Sequence, residues 1–118
     1  MIPRRLAAAS IKPLLLSILA EDESYGYAII ERVKSLTDGR MEWTPSTLYP
    51  VLHSLENDGL LKSRWQESPD GPKRKYYGLT RNGEKALTRE KQHWLDVHRA
   101  LVELWGPGPG LTISQESA

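Results

Sequence analysis

Apolar residues recur along the chain first at helical spacing, then at alternating spacing, then at helical spacing again. Ile11, Leu14, Leu15, Ile18 and Leu19 form the face of a first helix. Upstream of them, Ile2 to Ala9 favours helix through Ala7, Ala8 and Ala9, and Ser10 is a good N-cap with Pro13 tolerated in the turn after it, so this region is one bent helix or two. A polar turn, Glu21 to Ser24, leads to a second helix over Tyr25 to Thr37 with Tyr25, Ile29, Val33 and Leu36 as its buried face, ended by Asp38-Gly39. Residues 40–43 are a short connection able to pair as a small strand. Thr44 to Gly59 is the best delimited stretch. Leu48, Val51, Leu52 and Leu55 make its apolar stripe, Thr44 its N-cap, Pro45 its first turn and Gly59 its stop. Ser46, Pro50, His53 and Asn57 point the other way, with Tyr49 on the flank. Pro50 deletes one interior hydrogen bond at about 3 kcal/mol, so the outward face is either a functional surface or a tolerated bend.

After Gly59 the period changes to two. Leu61, Ser63 and Trp65 share one face, with Leu60, Lys62 and Arg64 on the other. Ser68 to Pro72 is dense in turn residues, and Lys73 to Leu79 returns as a second strand. Thr80 then caps a helix from about Arg81 to Trp105, roughly 37 Å long at the usual rise. Leu87, Trp94, Leu101 and Trp105, with Val97, His98 and Leu104 between turns, give it an apolar seam that asks for a partner. The predicted fold is mainly α with a small β-hairpin: a winged helix-turn-helix over residues 1–79, a C-terminal dimerisation helix over 80–105, and a disordered tail over 106–118 that begins at the GPGPG break.

Composition narrows the function classes. The 118 residues contain no cysteine, which excludes disulfides, thiolate metal sites and cysteine nucleophiles. Net charge is only +1, but residues 60–85 hold seven lysines and arginines against three carboxylates, whereas residues 21–40 run acidic. Such a layout aims a basic patch at an anionic surface while the total stays near neutral. Arg4 and Arg5 before an apolar run imitate a secretory signal, yet Pro13 and Lys12 interrupt the run and Ile18 and Leu19 occupy positions where small residues are needed. The run is also too short for a membrane span, so a cytoplasmic protein is expected. No zinc spacing, nucleophile elbow or phosphate-cradling glycine loop is present, and neither an enzyme nor a metal or cofactor is expected.

Three helices, a hairpin and a further helix would place the third helix in a DNA major groove and the hairpin tip on the backbone. Thr44, Ser46, Thr47, Tyr49 and His53 can bond phosphates or base edges, and Lys73, Arg74 and Lys75 can neutralise phosphates. The third helix carries no Lys or Arg, so bidentate guanine readout is absent from it. Selectivity would rest on hydroxyl contacts, on Pro50 or Tyr49 against thymine methyls, and on DNA shape. A solvated helix face is the competing reading.

YGYAII at 25–30, TPSTLYPVLHSLENDGLL at 44–61 and KRKYYGLT at 73–80 resemble the PadR family of bacterial transcriptional regulators. The single long C-terminal helix is similar to the short branch of that family, and the IP start, the YG segment and Trp94 are similar to its LmrR-like multidrug-binding repressors. The resemblance implies a homodimer, joined through the C-terminal helix, that represses by binding an inverted-repeat operator in double-stranded DNA. It places Thr44, Ser46, Thr47, Tyr49, Pro50 and His53 on the recognition helix and Lys73, Arg74 and Lys75 on the wing. It makes Pro50 a family trait. It further implies a planar aromatic effector stacked on Trp94, with Val97, His98, Pro13 and Ser17 near it. Ser46 and Gly78 depart from the usual pattern, and Lys91 and His98 would make the effector site more basic than one suited to cations. The alternative is a winged-helix module that binds a protein partner through the same helix and wing.

Overall fold

The computed structural model describes residues 2–69 and 71–106. In chain order its elements are α1 (Arg4–Glu21), β1 (Ser24–Tyr25), α2 (Gly26–Leu36), α3 (Pro45–Asn57), β2 (Leu61–Ser68), β3 (Gly71–Leu79) and α4 (Arg81–Trp105).

The N-terminal region is one helix. The Ala7 amide bonds to the Pro3 carbonyl at 2.9 Å, so helical pairing starts there. Ser10 caps nothing: its hydroxyl donates back to the Ala7 carbonyl at 2.8 Å, and the helix runs on through Pro13. Leu15, Leu16, Ile18 and Leu19 are buried. In α2, Ile29 and Val33 reach the core, but Leu36 is 49% exposed, because the helix ends beyond the layer it packs on.

The turn after α2 explains why residues 40–43 form no strand. The Thr37 hydroxyl donates to the Val33 carbonyl at 2.9 Å and accepts from the Met41 amide at 3.0 Å, which removes that amide from any ladder. Met41 and Trp43 are instead buried plugs of the core. The third strand comes from Ser24–Tyr25, within the expected polar turn and the first residue of the expected second helix.

Helix α3 follows its sequence closely. The Thr44 hydroxyl accepts from the Thr47 amide at 3.3 Å, Pro45 opens the helix, and Leu48, Leu52 and Leu55 are buried. Gly59, at φ 78°, ends it with a Leu60 amide to Leu55 carbonyl bond of 2.9 Å.

The sheet is antiparallel in the order β1-β3-β2, with Ser24 opposite Tyr77, Leu61 opposite Leu79 and Trp65 opposite Lys75. Its strands run further than the turn-rich composition suggested: only residues 69–70 of the expected loop lie between them. The core ends near Leu61 and Tyr77, so the outer half of the hairpin extends as a wing past the packed layer. Trp65 alternates with Leu61 and Ser63 as expected, yet it lies beyond the core and is 64% exposed.

Thr80 ties the wing to the last helix. Its hydroxyl donates to the Gly59 carbonyl at 2.6 Å and accepts from the Gly83 amide at 3.0 Å. A Cβ at Gly83 would stand 2.1 Å from the Leu60 carbonyl oxygen, so glycine is required for this close approach. Ala86 and Leu87 complete the core. Contacts within the chain group everything through Leu87 into one unit and set the rest apart from Thr88. In that second unit α4 leaves Trp94, Leu95, Val97, Leu104 and Trp105 exposed. The helix stops at Trp105, where Gly106 adopts φ 75° and its amide bonds the Val102 carbonyl at 2.8 Å. The tail expected beyond that point lies outside the described residues.

Candidate nucleic-acid interface

The outward face of α3 begins with a hydroxyl cluster. Thr44 Oγ1 lies 2.9 Å from Ser46 Oγ and 3.2 Å from Thr47 Oγ1, so the capping group also holds its neighbours. Exposed Pro50 sits within an unbroken helix, where the missing amide leaves its carbonyl partner on the solvent side. One turn apart, the Tyr49 and His53 rings have centroids 6.3 Å from each other. Tyr49 is anchored as well as exposed: a Cβ at Gly26, the first residue of α2, would lie 2.3 Å from its hydroxyl. The ring therefore rests on the start of α2, and the glycine makes room for it.

Strand alternation divides the wing cations. Lys73 and Lys75 share a face with Trp65 and Tyr77, while Arg74 and Tyr76 lie on the other with Arg64, Gln66 and Tyr25. On the first face, Lys75 Nζ is 3.9 Å from a Glu56 carboxylate oxygen, 5.9 Å from the Trp65 ring centroid and 5.4 Å from that of Tyr77. Glu56 also accepts from the Ser63 hydroxyl at 2.5 Å, so a residue at the end of α3 steadies the base of the wing. Lys73 stands 3.9 Å from Glu67. On the second face, the Arg74 guanidinium lies 4.5 Å above the Tyr25 ring, Tyr25 meets Tyr76 edge-on at 5.2 Å, and Arg64 covers Tyr76 at 5.2 Å.

Arg64 also pairs with Glu23, just before β1. Its hydrogen bonds hold the Glu23 carboxyl below the usual carboxylate range, and Glu23 in turn raises the guanidinium. Burial pushes the Tyr77 phenol up, partly offset by Lys75. The Tyr77 hydroxyl has no hydrogen-bond partner within bonding distance among the described residues.

Helix and wing meet across a groove of about 510 Å³ lined by Tyr49 and His53 on one side and by Trp65, Lys73, Arg74 and Lys75 on the other. Cationic heads beside flat rings suit an anionic polymer with planar or sugar-ring surfaces. Thr44, which caps α3, and Ser46 and Pro50 within it lie outside this lining, and Thr47 borders a separate groove of about 310 Å³ beside the N-terminal half of α1. Pro13 and Ser17 are half-buried on α1; Trp94 and Val97 are exposed and His98 half-buried on the part of α4 that follows Leu87. Among the described residues no group of three or more His, Asp or Glu stands close enough to hold a metal ion. Sequence reasoning missed Tyr25, Gly26 and Trp65 as parts of this groove. The signal that could have found Gly26 was a glycine opening a helix between two tyrosines.

The model of the PadR-like family of transcriptional regulators matches residues 15–89. The chain belongs to this family. PadR-family members are DNA-binding transcriptional regulators and not enzymes. Transcriptional regulator Rv3488 of Mycobacterium tuberculosis is 36% identical over 101 residues, covering 86% of this chain and 84% of that one. Transcriptional regulator YqjI of Escherichia coli is 31% identical over 94 residues; the match takes in 80% of this chain but 40% of that protein. Among solved structures, a PadR family transcription regulator from Clostridium difficile R20291 superposes with a TM-score of 0.70 at 33% identity, over 82% of this chain and 99% of the other. The winged-helix fold of the family is therefore the fold seen here. No described helix is long and apolar enough to cross a membrane.

Proposed function

We propose that this PadR-family chain acts in the cytoplasm as a homodimeric repressor, with one α3 entering the major groove of each half of an inverted-repeat operator and the wing lying on the adjacent backbone. The observation that carries this reading is the shared groove, where the lysine-free and arginine-free face of α3 stands opposite Lys73, Arg74 and Lys75. Thr44, Ser46, Thr47, Tyr49, Pro50 and His53 then choose the site by hydroxyl, methyl and shape contacts, while the wing supplies charge. Binding to the DNA upstream of its own gene should fall steeply with salt, and the Lys73→Ala/Arg74→Ala variant should flatten that slope by about 3.6, for two lost phosphate contacts in each protomer of the dimer. An unchanged slope would overturn the wing assignment.

The same reading places the chain in the short, LmrR-like branch and makes the exposed apolar side of α4 its dimer contact. Leu104 is 80% and Trp105 67% exposed, more apolar surface than an isolated helix face carries at no cost. Sedimentation should give about twice the 13.4 kDa chain mass; a monomer would sink the dimer. A planar aromatic effector stacked on Trp94, bordered by Val97, His98, Pro13 and Ser17, would favour a dimer with altered wing spacing and so weaken DNA binding by the same coupling energy. Equal quenching of tryptophan emission by planar aromatic compounds in wild type and Trp94→Ala would remove Trp94 from that role.

A further inference from the structure

Trp65 is an anomaly that packing does not explain. It is the largest side chain type, it is 64% exposed, and it stands on the wing beyond the end of the core. Its ring contributes little to holding the sheet, since Leu61, Leu79 and Tyr77 fill the packed part. It does have a defined direction. Trp65 is paired with Lys75 on the strand face that lines the groove, opposite Tyr49 and His53, and Lys75 Nζ lies 5.9 Å from its ring centroid. The indole thus shares its strand face with Lys73 and Lys75, with most of its surface uncovered.

Resting on the DNA reading above, we infer that Trp65 is itself a DNA contact, its ring laid against a deoxyribose of the strand that the groove receives. The occupant follows from charge complementarity: Lys73, Arg74 and Lys75 draw a phosphate backbone into the groove, and what lies between successive phosphates is the C–H surface of the sugar. An indole suits that surface, and its N–H can donate to the neighbouring phosphate oxygen. Lys75, already beside the ring, neutralises the same phosphate. The division of labour differs from that of the cations. Lysine and arginine contribute affinity by releasing counterions, so their share falls with salt, whereas the buried indole face contributes a share that salt does not screen. Glu67, 3.9 Å from Lys73, weakens the charge term at the tip and makes the uncharged contact more valuable there.

The test measures affinity for a short duplex carrying the sequence upstream of the gene at several salt concentrations, for wild type, Trp65→Ala and Trp65→Phe. Trp65→Ala should bind about tenfold more weakly at every salt with the slope unchanged, and Trp65→Phe should keep most of the affinity. Lys73→Ala, by contrast, should lower the slope by about 1.8, one lost phosphate contact in each protomer of the dimer. Thermal melting of Trp65→Ala should match wild type, because the removed ring is exposed. DNA should quench tryptophan emission in wild type and do so less in Trp65→Phe. A Trp65→Ala variant that binds as wild type does, or one whose loss lies in the slope, overturns the contact while leaving the DNA reading intact. A wild-type protein that binds no duplex overturns both.

Discussion

Helix α3 and the wing border the same groove and are held there by different forces. The helix is fixed from behind: Leu48, Leu52 and Leu55 are buried in the core, so its outward face has almost no freedom to turn. The wing is fixed from its sides, by rings stacked under guanidinium and ammonium groups and by ion pairs at exposed carboxylates. Apolar burial is strong and unaffected by salt, whereas exposed ion pairs are weak and screened. A rigid reading surface thus stands beside one that solution conditions can loosen, which is a sensible arrangement where one element must keep register and the other must follow a flexible backbone.

The largest expected effect comes from attacking the rigid side. Leu52→Ala leaves a cavity under α3 and should cost about 2–5 kcal/mol of unfolding free energy, read by denaturant melts. A loss well below 1 kcal/mol would mean that the helix is not core-held. Thr44→Ala removes a cap but no packing, and should cost about 1 kcal/mol by the same measurement, with Thr44→Ser close to wild type. Equal stability of the alanine variant would show that the hydroxyl cluster does not secure the helix start.

The smallest effect belongs to the wing. Glu23→Gln loosens Arg64 and should lower the melting temperature only slightly at neutral pH. The sign with pH follows from the depressed Glu23 carboxyl, whose ionised form is favoured in the folded state. Its contribution is present above the usual carboxylate range and is lost as pH falls through the lowered value. Wild type and variant should therefore converge in acid. A gap that widens in acid would contradict the pairing.

The same contrast decided what the sequence could reveal. Helix α3 was legible to the residue, because its cap, its first-turn proline, its leucine spacing and its glycine stop are local signals that the tertiary structure reinforces. The final helix was legible for the same reason, from Thr80 to the glycine at 106. Strand β1 was not: two residues cannot show a period, and Ser24 and Tyr25 are extended only because Tyr77 and Tyr76 lie beside them, some fifty positions away. Residues 40–43 misled for the converse reason, since Met41 and Trp43 are apolar to plug the core and their spacing imitates a strand. Trp65 kept its predicted face with Leu61 and Ser63, but its exposure was not legible, because alternation tells which side a residue is on and not where the packed layer ends. The lining of the groove was half legible: the wing cations and Tyr49 and His53 stood out by type, while the stacking of Arg74 on Tyr25 depended on a pairing that no local pattern records.

The tripeptide Tyr25-Gly26-Tyr27 distributes three consecutive residues to three places. Tyr25 joins the sheet and lies under Arg74, Gly26 receives the Tyr49 ring, and Tyr27 stands exposed at the groove. Because the room at Gly26 is matched to a particular ring, positions 26 and 49 form a lock and its key within one chain. Among homologues, a methyl at the first should travel with a smaller residue at the second, and a chain that changes the first alone should swing the exposed Tyr49 ring aside while its reading helix stays in place.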